Sequence, residues 1–181
     1  QMCIRDSMTA ARRRDEILQA LAGVSGPVSA AALAARLGVS RQVVVGDVAL
    51  LRAAGSPIVA TPRGYVLGGG QEGSGVRCTV ACRHGLDGLL DELYTVADCG
   101  CGVLDVTVEH PVYGQLSGQL QVFSRYDADV FWNALQKNGA QPLCSLTGDI
   151  HLHTLVCPDE ARKARVLAAL EEKGYLMGLE K

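Results

Sequence analysis

Through the first third of the chain, apolar residues recur at three- and four-residue intervals. Ile17, Leu18 and Leu21 make one stripe, and Thr9 stands where its hydroxyl can cap a helix running to about Ala22. Residues 23–27, Gly-Val-Ser-Gly-Pro, break that pattern. Ser29 predicts the start of a second helix over residues 30–37, closed by Gly38. Ser40 opens a third, residues 41 to about 54, closed by Gly55. Residues 58–60 and 65–67 are short β-rich runs split by Thr61-Pro62-Arg63-Gly64, which predicts a hairpin. Two helices joined by the tight turn Leu37-Gly38-Val39-Ser40 make a helix-turn-helix, with Val39 plugging the angle, and the hairpin makes it a winged one.

Beyond residue 75 the period shifts between two and 3.6. Residues 76–82 read as a strand ending at Arg83-His84, and residues 86–96 as a helix burying Leu86, Leu89, Leu90 and Leu93. Residues 103–109 alternate as a strand that His110-Pro111 stops. Tyr113-Gly114 turns the chain into a partner strand over residues 118–122. A helix over residues 127–137 turns Val130, Phe131, Ala134 and Leu135 inward. Residues 145–156 read as a strand with one apolar face, Ile150, Leu152 and Val156, and residues 158–173 as a last helix. The predicted class is α+β: a winged helix-turn-helix, then a split β-α-β domain of the ferredoxin-like kind.

Composition agrees with two small domains. The 181 residues are 48% hydrophobic, enough for packed cores. The run Gly68-Gly69-Gly70-Gln71-Glu72-Gly73-Ser74-Gly75 has a linker's composition. We therefore expect a DNA-binding domain over residues 8–68, a linker over 69–75 and a sensing domain over 76–181. Residues 1–7 fit no element and read as an artefact or tag. No apolar run approaches the roughly 20 residues of a membrane span. No secretory leader is evident, so the seven cysteines are expected to be reduced thiols in a cytoplasm. Cys78/Cys82 and Cys99/Cys101 lack the paired spacing of a structural zinc site. Charge is uneven. Residues 8–67 hold seven arginines against three acidic residues, whereas residues 68–181 hold nine basic against fifteen acidic. A basic first third suits a polyanion.

That balance gives the helix-turn-helix its chemistry. The start of the second helix of such a motif enters the major groove, and Ser40, Arg41 and Gln42 occupy that place. Arg can pair with guanine and Gln with adenine. The third helix is too apolar for one buried face, which leaves a position such as Val45 to meet a thymine methyl. Arg63, at the tip of the wing, can reach phosphate or the minor groove. A plain three-helix interaction module is the alternative.

Four residues suggest a metal. His151 and His153 lie two apart on a strand and so project together. His84 lies where a strand meets a helix, and Glu92 follows about two helical turns later. Three imidazoles and a carboxylate can hold a divalent first-row ion, with zinc, nickel, iron and manganese all admissible by ligand type. Each residue also has a plain reading: half-exposed sheet histidines, a helix-start histidine, a solvated carboxylate.

Residues 8–67 resemble the winged-helix domain that bacterial repressors fuse to small-molecule sensors. The likeness rests on Ala31-Ala32-Leu33-Ala34, Leu37-Gly38-Val39-Ser40-Arg41-Gln42, Asp47, Leu51-Arg52 and Gly64-Tyr65. Gly46 departs from it, where a longer polar side chain is usual. Residues 77–178 resemble the three-histidine domain of the niacin-responsive repressors of NAD biosynthesis and niacin uptake. The matching runs include Arg83-His84, Asp91-Glu92-Leu93-Tyr94, Val108-Glu109-His110-Pro111-Val112-Tyr113-Gly114, Leu146-Thr147-Gly148 and Ile150-His151-Leu152-His153-Thr154. The resemblance implies that His84, Glu92, His151 and His153 bind one divalent transition metal per chain. It also implies a homodimer that binds a double-stranded operator, with nicotinic acid, nicotinamide or a related pyridine as co-repressor. Asp98-Cys99-Gly100-Cys101 departs from it and would alter metal preference if the thiols approached the ion. Arg83, His110 and Tyr113 are candidates for an effector or dimer pocket. The expected protein is a repressor rather than an enzyme or membrane protein. A metal-dependent enzyme tethered to DNA and a bare metal-responsive repressor are the alternatives.

Overall fold

Three side-chain caps set the start of the first three helices. Thr9 Oγ1 accepts from the Arg12 amide at the head of α1 (Ala10–Ala22). Ser29 Oγ accepts from Ala32 for α2 (Ala30–Leu37), and Ser40 Oγ from Val43 for α3 (Arg41–Ala53). Each satisfies an amide that the helix itself cannot. Gly38 ends α2 in the left-handed conformation, φ 64°, where a side chain would be strained. β1 (Ile58–Thr61) pairs antiparallel with β2 (Gly64–Leu67), and Val28 bridges to Tyr65. The structure, a computed structural model, describes residues 9–68 and 75–178. The expectations for residues 1–7 and for most of the linker lie outside these. The chain divides into two compact units, Gln1–Gly70 and Gln71–Lys181.

The core of the first unit joins Ile17 and Leu21 of α1, Leu33 and Leu37 of α2, Val44, Val48 and Leu51 of α3, and Ile58 of β1. Val39 packs against it, half-buried, in the turn. One polar pair crosses this core's edge. Arg13 Nε and Nη2 donate to the two carboxylate oxygens of buried Asp47, at 2.5 and 3.1 Å, and clasp α1 to α3. A two-pronged guanidinium–carboxylate pair fixes orientation as well as charge.

The second unit runs β3 (Val76–Arg83), α4 (Leu86–Asp98), β4 (Gly102–His110), β5 (Gly114–Val122), α5 (Arg125–Asn138), β6 (Ile150–Cys157) and α6 (Glu160–Glu172). The sheet order is β3-β6-β4-β5, antiparallel throughout. β3 and β4 thus run parallel with β6 between them, which is the split β-α-β arrangement. The inserted strand is the last one, and the hairpin strand β5 lies at the edge. α4, α5 and α6 cover one face, where Leu89, Leu93, Val96, Ala128, Val166 and Leu170 meet Val80, Val103, Val122 and Leu155.

Leu86, expected on the buried side of α4, is 42% exposed at its first position, and three further expectations change. Residues 143–147 form a short 3-10 helix instead of the start of a strand. Ser145 Oγ donates to Pro142 O and Thr147 Oγ1 to Ile150 O, so side-chain hydroxyls hold the turn. The inward stripe predicted for α5 is only half-buried, and its buried residues are Asp127 and Ala128. Asp127 Oδ2 accepts from the Phe123 amide while Ser124 Oγ accepts from the Asp127 amide, a reciprocal cap. The third change concerns β6. Ile150 and Leu152, read as the apolar face, are 40% and 39% exposed, whereas His151 and His153 are buried.

Two substitutions test the first unit. Asp47→Ala, which leaves Arg13 partly hydrated, should destabilise it by about 2 kcal/mol. Gly46→Ala should stabilise it by about 1 kcal/mol, because nothing lies within 4 Å of a Cβ placed there. Urea unfolding followed by circular dichroism at constant slope reads both.

Candidate metal centre

The site begins with a strained turn. Gly148 and Asp149 both take left-handed backbone, φ 62° and 69°, just ahead of β6. That turn leaves the Asp149 carbonyl 3.0 Å from His151 Nδ1. His153 Nδ1 lies 2.7 Å from the Asp105 carbonyl on β4, and His84 Nδ1 3.0 Å from the Gly85 carbonyl. A carbonyl only accepts, so each Nδ1 carries the proton and donates. Each Nε2 is thereby presented on the other side of its ring. Gly88 gives His84 its place: a Cβ there would come within 2.9–3.0 Å of the imidazole.

The three Nε2 atoms converge on one carboxylate oxygen. Glu92 Oε2 lies 2.6 Å from His84 Nε2, 3.4 Å from His151 Nε2 and 3.3 Å from His153 Nε2. Glu92 is 1% exposed, on the buried side of α4, and its Oε1 has no hydrogen-bond partner. A buried carboxylate without full pairing is costly. With neutral imidazoles the cluster is a set of lone pairs facing lone pairs, and only a cation reconciles them. Among the described residues, the Oε1 orphan and the three aimed Nε2 atoms fit a divalent first-row ion.

Protons are the competing cations. Burial opposes ionisation of Glu92, but the charge on His153 and the hydrogen bonds of all three imidazoles outweigh it and hold the carboxyl well below its usual range. Burial likewise pulls His84 and His153 down, and Glu92 more than compensates, so both are raised.

The centre floors a small cavity of about 30 Å³ walled by Val106, Leu120, Phe131, Pro142, Leu143 and Cys144. Its walls are apolar, and as it stands it has room for little more than a water molecule, so a ring compound enters only if the walls part. None of the three pocket candidates lines it. Arg83 is exposed at the end of β3. His110 Nδ1 accepts from the amides of Val112 and Tyr113 at 3.2 Å, and its ring packs on Tyr113, so it caps the β4–β5 turn. Cys99 and Cys101 are buried away from the centre, where Cys101 Sγ bonds weakly to the Arg162 carbonyl. Of the described thiols, Cys144 stands in the cavity wall and Cys82 among the ligand atoms. Cys82 Sγ forms a group with Glu92 and His151 in which the ligand atoms lie within 4.8 Å of one another. The available signal was positional: Cys82 stands two residues before His84 on the same predicted strand.

On α3, Arg41 and Gln42 are exposed directly after the Ser40 cap, and Val45 is half-buried. Val43 and Leu50 are also exposed, while Val44, Asp47, Val48 and Leu51 face the core. Arg63 is half-buried in the β1–β2 turn, with its amide donating to Thr61 Oγ1.

Comparisons agree with this division. Residues 13–66 match the HTH domain family and residues 77–179 the 3H domain family. The chain is 44% identical over 165 residues to the probable transcription repressor NiaR of Thermotoga maritima, covering 91% of this chain and 93% of that protein. It is 40% identical over 169 residues to the transcription repressor NadR of Bacillus subtilis, covering 92% and 94%. Both are named as repressors, not as enzymes.

The electrostatics give a signed expectation. The raised histidines stabilise the metal-free fold fully below pH 6.5, their ordinary value, and that contribution is lost as pH rises through their folded values. Bound metal replaces those protons, and binding strengthens as they leave. The gain in melting temperature on adding Zn2+ or Ni2+ should therefore be larger at pH 8 than at pH 6. Calorimetric melts of chelator-stripped and reloaded protein read this, and Glu92→Gln should remove most of the gain.

Proposed function

This chain belongs to the family of NiaR and NadR transcription repressors, which join a helix-turn-helix domain to a 3H domain, and we propose that it represses genes of NAD biosynthesis or niacin uptake. In this reading nicotinic acid or a related pyridine is the co-repressor. One divalent metal per chain, nickel or zinc ahead of iron or manganese, is held by His84, Glu92, His151 and His153. The observation that carries the reading is the convergence of three Nε2 atoms and an orphaned carboxylate oxygen on the floor of an apolar cavity.

The chain's own residues divide the work. Phe131 and Leu143 supply apolar walls that would part to admit a ring, and the centre offers its floor as a place for a carboxylate or ring nitrogen. Bound metal would supply Lewis acidity there. Ser40 fixes the head of α3, from which Arg41 and Gln42 reach base edges; Val45 and Arg63 flank them. A homodimer would set two such helices against two half-sites. The sheet face left uncovered by helices, with Ile150 and Leu152 exposed, supports a second copy docking there. No helix among the described residues is long and apolar enough to cross a membrane.

A ligand shifts DNA affinity only by its preference between two states. Fluorescence anisotropy on promoter DNA from niacin and NAD genes tests this. Nicotinic acid or nicotinamide should tighten binding of metal-loaded protein by roughly 5- to 150-fold, and His151→Ala should abolish the effect. Equal affinity with and without either pyridine, but a response to metal alone, would replace the niacin reading with a bare metal-responsive repressor. Arg41→Ala should cost about 1–3 kcal/mol of specific binding.

A further inference from the structure

Cys82 is a fully buried residue of β3, and the His84–Glu92–His151–His153 centre does not require it. In the β3–β6 ladder Cys82 pairs directly with His151, and Val80 with His153. Directly opposed residues of an antiparallel pair point to the same face. The thiol therefore stands beside the His151 imidazole on the helix-covered side. Its Sγ, a Glu92 carboxylate oxygen and a His151 ring nitrogen lie within 4.8 Å of one another. Nitrogen and sulfur ligands of one tetrahedral zinc ion lie about 3.6 Å apart, so a modest contraction brings the triad to bonding distances.

A second observation makes this more than a buried cysteine filling space. Glu92 Oε1 is buried and unpartnered in the same cluster. The His Nε2 atoms all crowd Oε2, and from β3 it is the Cys82 thiol that faces the carboxylate.

We propose that Cys82 is itself a metal ligand, its thiolate taking one position of the ion beside Glu92 and His151. The inference rests on the metal reading of the centre. As the sulfur–metal bond forms, the thiol loses its proton to solvent and no electron changes hands. A thiolate is a soft donor. It moves the site toward Zn2+ and Co2+ and away from Mn2+, which favours oxygen. Metal preference in this chain would then be set by one β3 residue outside the histidine–glutamate set.

Cobalt substitution separates this proposal from the reading beneath it. Chelator-stripped full-length protein is loaded with Co2+ and its absorption recorded. The expected result is a near-ultraviolet thiolate-to-cobalt charge-transfer band together with visible d–d bands. Cys82→Ser should lose the first and keep the second, and its Zn2+ affinity should fall by at least about tenfold, the effect of losing even an outer-shell partner, with Mn2+ affinity little changed. Cys157→Ala, which removes a buried thiol at the far end of β6 from His151, should keep both bands. Visible bands without a charge-transfer band in the unsubstituted protein would overturn the ligand role of Cys82 and leave the histidine–glutamate centre intact. Should Cys82→Ser fail to fold, that spectrum still decides. No cobalt bound at all would overturn both the proposal and the metal reading.

Discussion

Around Glu92, more acceptors point inward than donors. Three imidazoles are anchored by backbone carbonyls through Nδ1, so their Nε2 atoms face a carboxylate that is itself buried. Such a cluster is stable only around positive charge. The fold is arranged to create this need rather than relieve it. The left-handed turn at Gly148-Asp149 aims His151, the β4 bulge near Asp105 receives His153, and the missing side chain of Gly88 admits His84. Protons can meet the need at low pH and a divalent ion across the working range. Whatever occupies the apolar cavity above meets a floor whose charge the occupant of the centre decides.

The first unit follows a different logic. Its polar requirements are satisfied locally, by Thr9, Ser29 and Ser40 at three helix starts and by Asp47 on Arg13 between helices. That local satisfaction frees the outer surface of α3. Arg41 and Gln42 stay exposed, and Asp47 turns to the core. Asp47 sits on the recognition helix yet acts as a brace, which keeps an acidic group out of the way of a polyanion.

Much of this was legible in the sequence because its signals are local. Hydroxyl caps, Gly38 after an apolar stripe, and a hairpin split by Pro62-Arg63-Gly64 each act over a few residues, and all appear in the fold. The histidine pair was legible in spacing, but the sense of its strand was not. Period-two patterning tells which residues share a face, not which face is covered. Here the helices lie over the histidines, and Ile150 and Leu152 are left outside. Cys82 and Cys78 lack the paired spacing of a structural zinc site, so cysteine spacing gives Cys82 no metal signal. Its relevance comes from a cross-strand pairing with His151 that only the register of β3 on β6 reveals. The cavity walls from α5 and the 3-10 helix were out of reach for the same reason, as were the hydrogen bonds that His110 accepts from the amides of its own turn.

The central claim is that the His84–Glu92–His151–His153 cluster is built for one cation. Calorimetric titration of Zn2+ and Ni2+ into chelator-stripped protein tests it most directly, alongside Glu92→Gln, which keeps the shape and removes the charge. The account predicts one tight site per chain, with proton release, and a loss of at least about tenfold in affinity in Glu92→Gln. Weak binding of either metal, or affinity equal in both proteins, would contradict it.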